Sequence, residues 1–214
     1  MDQARLHNSR FDFDAESLCL NFANTAEFHA SSNPIEKLNN YPDLVDWGVD
    51  AGILSPGEAQ QLRHLAEGHP EDEAAALERA LNLREALYRI FAAIGDERRV
   101  DPDDLSILNA ALREAHSRMQ IVTSAQGFDW GWEESQDSFD AILWPVARSA
   151  ADLLLSDNLD RVRECADDRG CGYVFLDMSR NRSRRWCSMA TCGNRAKAKR
   201  HYAQTKRKLT EQED

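Results

Sequence analysis

The chain has 214 residues, 42% of them hydrophobic, and a net charge of −11 from 26 Lys and Arg against 37 Asp and Glu. That is enough apolar material for one packed core plus a small appendage, and no apolar run approaches the roughly eighteen residues that a membrane span needs. The opening stretch "MDQARLHNSRFDFD" lacks the apolar centre of a secretory signal, so the expected compartment is a reducing cytoplasm, where structural disulfides are rare.

Residues 1–158 read mainly as helix. "AESLCLNFANTAEF" places Cys19, Phe22, Ala23 and Ala26 on one helical stripe. "PDLVDWGVDAG" opens on Pro42, and Gly52 is its expected stop. In "SPGE", Ser55 precedes Pro56 with Glu58 three positions on, a capping box with proline at the first helical position. "EDEAAALERALNLREALYRIFAAIG" is the strongest helix; Leu77, Ala80, Leu81, Leu87, Tyr88 and Phe91 recur at helical spacing, Arg84 is the one interruption, and Gly95 closes it. "DPDDLSILNAALREAHSRM" is the next, capped by Asp101 with Pro102 following. Gln120–Trp132 differs: it is rich in β-formers with a glycine near the middle, and Phe128, Trp130 and Trp132 alternate, as on one face of a hairpin strand. "DSFDAILWPVARSAADLLLS" returns to helix, and Pro145 is expected to kink or restart it.

Cys19 stands alone in the first helix and reads as a small buried hydrophobe. The other four cysteines, Cys165, Cys171, Cys187 and Cys192, fall within 28 residues with spacing C-x5-C-x15-C-x4-C. Two close pairs separated by about fifteen residues are how a four-cysteine zinc site is built, each pair supplying half of a tetrahedron. The last fifty residues hold too few large apolar side chains to fold on burial alone. One structural Zn²⁺ on four thiolates supplies roughly 10–16 kcal/mol of apparent folding free energy near neutral pH. The nearby Arg184, Arg185 and Arg195 would offset the negative charge of the complex. His201 lies nine residues past Cys192, a poor position for a ligand. The alternatives, unrelated thiols or two disulfides, fit a cytoplasmic chain less well.

Charge divides the chain at the same place. Residues 1–164 hold 14 Lys and Arg against 31 Asp and Glu, a net −17, whereas residues 165–214 hold 12 against 6, a net +6. Between Met178 and Lys208 there are eleven basic residues and no acidic one. Asn194 is a suitable N-cap, Gly193 can supply a tight turn, and "RAKAKRHYAQTKRK" favours helix. At 100° per residue, Arg195, Lys199, Tyr202 and Lys206 share one face of this helix and Arg200 lies on a neighbouring one; Tyr202 and the alanines are its inward-facing side chains. The candidate nucleic-acid contacts are Arg180, Arg182, Arg184 and Arg185 in the preceding loop and Arg195, Lys197, Lys199 and Arg200 on the helix. Trp186, beside Cys187, reads as core around the metal rather than as a stacking platform.

The stretch "FLDMSRNRSRRWCSMATCGNRAKAKRHY" resembles the CGNR zinc finger of bacterial proteins, whose tetrapeptide stands here as Cys192-Gly193-Asn194-Arg195. The resemblance runs from about Cys165 to Lys206. Upstream, "LCLNFANT" and "LREALYRIF" resemble the ABATE helical domain that precedes this finger. One departure from the family pattern is the first cysteine pair, spaced by five residues rather than four, with Gly170 as the additional residue. The resemblance implies a bacterial cytoplasmic protein, a zinc-stabilised C-terminal module and a role as a transcription regulator, with RNA as a further partner.

There is no Gly-rich phosphate loop, no H-E-x-x-H and no G-x-S-x-G, and a closed four-cysteine site leaves no position for a catalytic water, so no enzyme is expected. Acidic clusters such as "GWEESQD" read as solvated faces. Asn21, Asn24 and Thr25 sit together on the first helix; they line a small-molecule pocket or satisfy neighbouring backbone, and the second reading is preferred. The expectation is a mainly α fold: a helical domain over residues 1–158 with a small hairpin, then a zinc module over 159–214 built from a short β element and a basic helix. In the module, "GYVFLD" should form a strand, paired with "RVREC" or with a later part of the module. The leading function is DNA-binding transcription regulation. The alternatives are an adaptor for an acidic protein partner, an RNA-binding protein and a zinc or thiol redox sensor. No membrane partner is expected.

Overall fold

The computed structural model describes residues 10–124, 127–133 and 138–210, with side chains up to Thr205. Seven helices and three two-stranded antiparallel sheets appear among them: α1 Leu18–Ala23, β1 Ala26–Glu27, β2 Ile35–Glu36, α2 Tyr41–Asp50, α3 Pro56–Glu67, α4 Pro70–Gly95, α5 Pro102–Ser117, β3 Met119–Ser124, β4 Gly127–Trp132, α6 Leu143–Leu154, β5 Val162–Glu164, β6 Val174–Leu176 and α7 Asn194–Thr210. The mainly helical expectation holds. Among the described residues no helix is long and apolar enough to cross a membrane.

Local signals set most of these boundaries. Ser55 accepts from the Glu58 amide while Glu58 accepts from the Ser55 amide, closing the capping box of α3. Asp101 accepts from the Asp103 amide at the start of α5. At α2 the cap is Asn40, whose side chain accepts from the Asp43 amide. Pro145 falls in the first turn of α6, where its missing N–H and fixed φ cost nothing, so the helix begins at Leu143 instead of running unbroken from the preceding segment. The expected hairpin forms from β3 and β4, with Ile121 opposite Trp130 and Thr123 opposite Phe128. Phe128 at the hairpin end is 79% exposed, whereas Trp132, on the same face, packs against the buried Trp144 at 5.9 Å.

The first helix is shorter than expected. It stops at Ala23, and Ala26 and Glu27 form a short ladder with Glu36 and Ile35. A tertiary contact ends it. The buried Asn24 side chain donates to the Val174 carbonyl at 2.8 Å and accepts from the Val174 amide at 2.9 Å. Thr25 turns its hydroxyl back to the Phe22 carbonyl, and Asn21 accepts from the Ala15 amide. All three polar residues thus satisfy backbone.

Arg84, the interruption on α4, is 4% exposed and forks onto Glu36 at 2.6 and 2.7 Å while also pairing with Glu85. It fastens the β1–β2 ladder to the middle of α4 by the bidentate geometry that suits guanidinium and carboxylate. One hydrophobic cluster takes in Phe22, Trp47, Leu87 and Phe91 from the helices together with Val162, Val174 and Phe175 from β5 and β6. The C-terminal sheet and the helices share a core.

Replacing Asn24 with Leu keeps the volume but leaves the amide and carbonyl of Val174 buried without partners. We expect a loss of about 3 kcal/mol, seen as a fall of roughly 10 °C in the thermal midpoint. A midpoint within 2 °C of the parent protein would show that this pair does not hold the two regions together.

Candidate metal centre

The four clustered cysteines come from three places. Cys165 follows β5, Cys171 follows a turn at Asp167–Gly170, and Cys187 precedes, while Cys192 lies within, a wide turn that leads into α7. The β5–β6 pairing aligns Val162 with Leu176 and Glu164 with Val174, and the Cys165 amide extends the ladder to the Tyr173 carbonyl. Of the two pairings open to "GYVFLD", it is the one with "RVREC" that forms.

The four sulfurs lie within 4.8 Å of one another. Cys171 Sγ is 3.7 Å and Cys192 Sγ 3.6 Å from Cys187 Sγ. With a metal–sulfur bond of about 2.3 Å, the edge of a zinc–thiolate tetrahedron is about 3.8 Å, whereas a disulfide needs about 2.0 Å. The donor set and its spacing therefore fit a tetrahedral soft-ligand cation. Within this coupled set, hydrogen bonds from the Cys171 and Cys187 side chains draw the Cys165 thiol below its usual range. Cys19 is elsewhere, fully buried, and burial pushes its thiol up to about 11.

Two glycines shape the chain on either side of Cys171, Gly170 within the longer first pair and Gly172 just after it. Gly170 and Gly172 have φ of +79° and +67°, and a Cβ on Gly172 would sit 2.5 Å from the Ala30 amide nitrogen. Only glycine allows both the left-handed backbone and this approach to the loop between β1 and β2. The His29 amide donates to the Cys171 carbonyl across the same contact.

Gly193 behaves differently from the sequence reading. It has no left-handed φ. Its amide reaches back five residues to the Ser188 carbonyl, so Met189–Gly193 forms one wide helical turn that runs straight into α7. A Cβ there would lie 2.7 Å from Met189 Sδ, a contact that the flexible, half-exposed Met189 side chain can relieve by moving. Asn194 is accordingly inside the helical path, and its side chain donates to the Ala190 carbonyl instead of capping an N-terminus.

The basic residues divide into two sets. Arg184 stacks over the Phe175 ring at 4.4 Å and donates to the Trp186 and Cys187 carbonyls. Arg195 donates to the buried Asp167 carboxylate and to Cys192 Sγ, both at 2.8 Å. Asp177, fully buried, accepts from the Ser179 and Arg184 amides at 2.9 Å and so fixes the loop between β6 and Cys187. Arg182 pairs with Asp160 and Lys199 with Asp168, both at the surface. Trp186 is half-buried, with Arg185 and Arg200 over its ring at 5.5 and 6.0 Å. Arg180 and Lys197 are exposed and, among the described residues, make no ion pair. From Lys197 to Thr205 every side chain of α7 is exposed, and Tyr202, expected inward, is 73% exposed. The side chains of Lys206, Arg207 and Lys208 lie outside the described residues, as does most of the acidic stretch "GWEESQD".

A four-cysteine module bearing a cationic helix, seated on a helical body through a common core, defines the class. Residues 16–157 match the ABATE family, described as "Putative stress-induced transcription regulator", and residues 161–205 match the CGNR zinc finger. The chain belongs to the ABATE family and carries a CGNR zinc finger after that domain. Neither family is described as enzymatic. No curated protein matches the chain.

The two sets of cations are separable by stability. Arg195→Ala leaves Asp167, whose side chain is 2% exposed, without its closest cation. We expect a loss of about 2 kcal/mol and a thermal midpoint lower by several degrees, with no change for Arg180→Ala. Equal midpoints for the two variants would remove Arg195 from the framework of the module.

Proposed function

We propose that the protein is a DNA-binding transcription regulator whose four-cysteine site holds one Zn²⁺ and thereby fixes a basic surface. The observation that carries this reading is the partition of cations around the cysteines: one set is engaged in the module and a second set is left facing solvent. Cys165, Cys171, Cys187 and Cys192 are the proposed ligands. Zinc bound by four thiolates has a closed coordination sphere, so what it supplies is folding free energy. We place the boundary between the helical domain and the zinc module near residue 158, a division supported by the family matches on either side of it.

The phosphate-facing set is Arg180, Arg185, Lys197 and Arg200. Arg182 and Lys199 can join it, because surface ion pairs such as theirs are worth about 0–1 kcal/mol and exchange readily for a phosphate. Arg184 and Arg195 act on the module itself, orienting the loop and the first turn of α7. The side of the helix offered to phosphate is therefore the one carrying Lys197 and Arg200, whose guanidinium also lies over the Trp186 ring. RNA offers the same phosphates, and the salt titration below distinguishes it by comparing duplex DNA, single-stranded DNA and RNA.

Two measurements test the reading. Freshly reduced protein should carry one zinc per chain by elemental analysis, and Cys187→Ser should lose it; metal-free native protein would end the zinc assignment. In the second, log K for duplex DNA against log salt should have a slope of about −4, from four phosphate contacts at about −0.9 each. Lys197→Ala with Arg200→Ala should flatten it by about two units at unchanged thermal midpoint. A slope unaffected by this double change would move the interface off α7. No salt-dependent binding to any of the three nucleic acids would favour a protein partner.

A further inference from the structure

The β3–β4 hairpin rests on the body by its base. Among the described residues its two strands pair only with each other, in unbroken register from Met119 opposite Trp132 to Ser124 opposite Gly127. Side chains therefore alternate between two faces. One face carries Met119, Ile121, Thr123, Phe128, Trp130 and Trp132; the other carries Gln120, Val122, Asp129 and two glycines. Such alternation belongs to a strand pair with one buried face. Here only the base of that face is covered: Trp132 packs on Trp144, and the Arg148 guanidinium meets Met119 Sδ at 3.7 Å. Further out, Trp130 is 48%, Ile121 58% and Phe128 79% exposed.

The exposed part is also without charge. Residues 119–128 include no Asp, Glu, Lys or Arg, in a chain of which 29% is charged. β3 has no lysine, no proline and no bulge, the usual devices that keep an outer strand away from another chain. The surrounding charge narrows the choice of occupant. Residues 1–164 carry a net −17, so copies of the chain repel one another except where the surface is neutral. Nucleic acid would meet the carboxylates of Asp129 and Glu133 on and just after β4. The cation at the face, Arg148, lies over the Trp130 ring at 5.3 Å and already pairs with Asp152. A neutral apolar patch of this kind fits the same patch on a second copy.

We propose that two copies of the chain associate through this face, hairpin against hairpin across a two-fold axis, so that Ile121, Phe128 and Trp130 of each copy are covered by the same residues of the other. An aromatic side chain buries about 150–250 Å², so at these exposures the three side chains offer on the order of 400 Å² per copy. Thr123 and the strand backbone add to this. The total for two copies is then about 800–1,200 Å², the range of weak, reversible complexes rather than of obligate dimers. Arg148, at the edge of the patch, belongs to its polar rim. The dimer carries two copies of α7 related by the same axis, the arrangement that a two-fold symmetric duplex site requires. That consequence rests on the nucleic-acid reading above; the association itself does not.

The test is analytical ultracentrifugation of the full-length protein, reduced and without nucleic acid, from about 1 μM to about 300 μM. The weight-average mass should rise from 24.3 kDa toward twice that value. Phe128→Glu and, independently, Ile121→Lys should each weaken the association about tenfold or more, because each places two like charges near the axis. Both side chains are exposed in the single chain, so the thermal midpoint of dilute protein should stay where it is. Gln120→Lys, on the opposite face of the same strand, should leave the association unchanged. A single 24.3 kDa species up to the highest concentration overturns the dimer. Association that survives both face variants, or that Gln120→Lys abolishes equally, overturns this face as its seat. If the protein stays monomeric but binds single-stranded DNA or anionic vesicles in a manner that Phe128→Glu abolishes, the face belongs to that partner and the proposal fails.

Discussion

Two hydrogen bonds between Asn24 and the Val174 peptide unit join parts of the chain that are 150 residues apart. Much of the remaining arrangement depends on them. β6 pairs with β5 along one edge, and Asn24 supplies on the other edge the donor and acceptor that a third strand would have offered. A side-chain amide presents one of each in a single plane, which Asp, Leu or Ser cannot do. The contact is buried, where an amide bond is strong and a missing partner expensive. Phe175 and Val174 can therefore enter the same hydrophobic cluster as Phe22 and Phe91, and the cysteines that flank β5 and β6 are brought to a set position above α4.

Much of this was legible in the sequence wherever the signal was local. The capping box at Ser55, the Asp101 cap, the hairpin and the cysteine spacing each depend on residues a few positions apart, or on a ligand pattern that only one geometry satisfies. Two of the misses share the opposite property. Helical periodicity ran past Ala23 because nothing near Asn24 announces a partner at Val174. Arg84 looked like an interruption because Glu36, which makes it part of the interior, is 48 residues away. Gly193 was read as a tight turn, whereas its amide closes a wide helical turn back to the Ser188 carbonyl. On α7 the helical wheel put Tyr202 and the alanines inward, whereas from Lys197 to Thr205 no side chain is covered and only Arg195, in the first turn, is held by the turn carrying Asp167.

The same turn shows how a basic segment remains in place on a chain that is acidic overall. Its inner cations are matched one by one with carboxylates of the module itself, Arg195 with Asp167, Lys199 with Asp168 and Arg182 with Asp160. The buried pair at Arg195 has a structural consequence, while the exposed pairs contribute little and are readily exchanged. Local pairing of this kind lets a net −17 region and a net +6 region coexist without the first drawing the second down onto its surface, since charges further apart than about 10 Å are screened at ordinary salt.

The wide turn from Ser188 to Gly193 runs into α7 without a hinge, and Arg195 locks the first turn to a buried carboxylate and a sulfur. The direction in which the helix leaves the body is thereby settled during folding. Whatever the helix meets encounters a backbone fixed at its first turn, while the exposed Lys and Arg side chains keep their rotamer freedom until the encounter. Were the partner the duplex proposed above, adaptation would fall to it: one that bends or opens its groove easily would fit more closely than a stiff one, so sequence-dependent flexibility of the target would be a source of selectivity even at positions the protein does not touch.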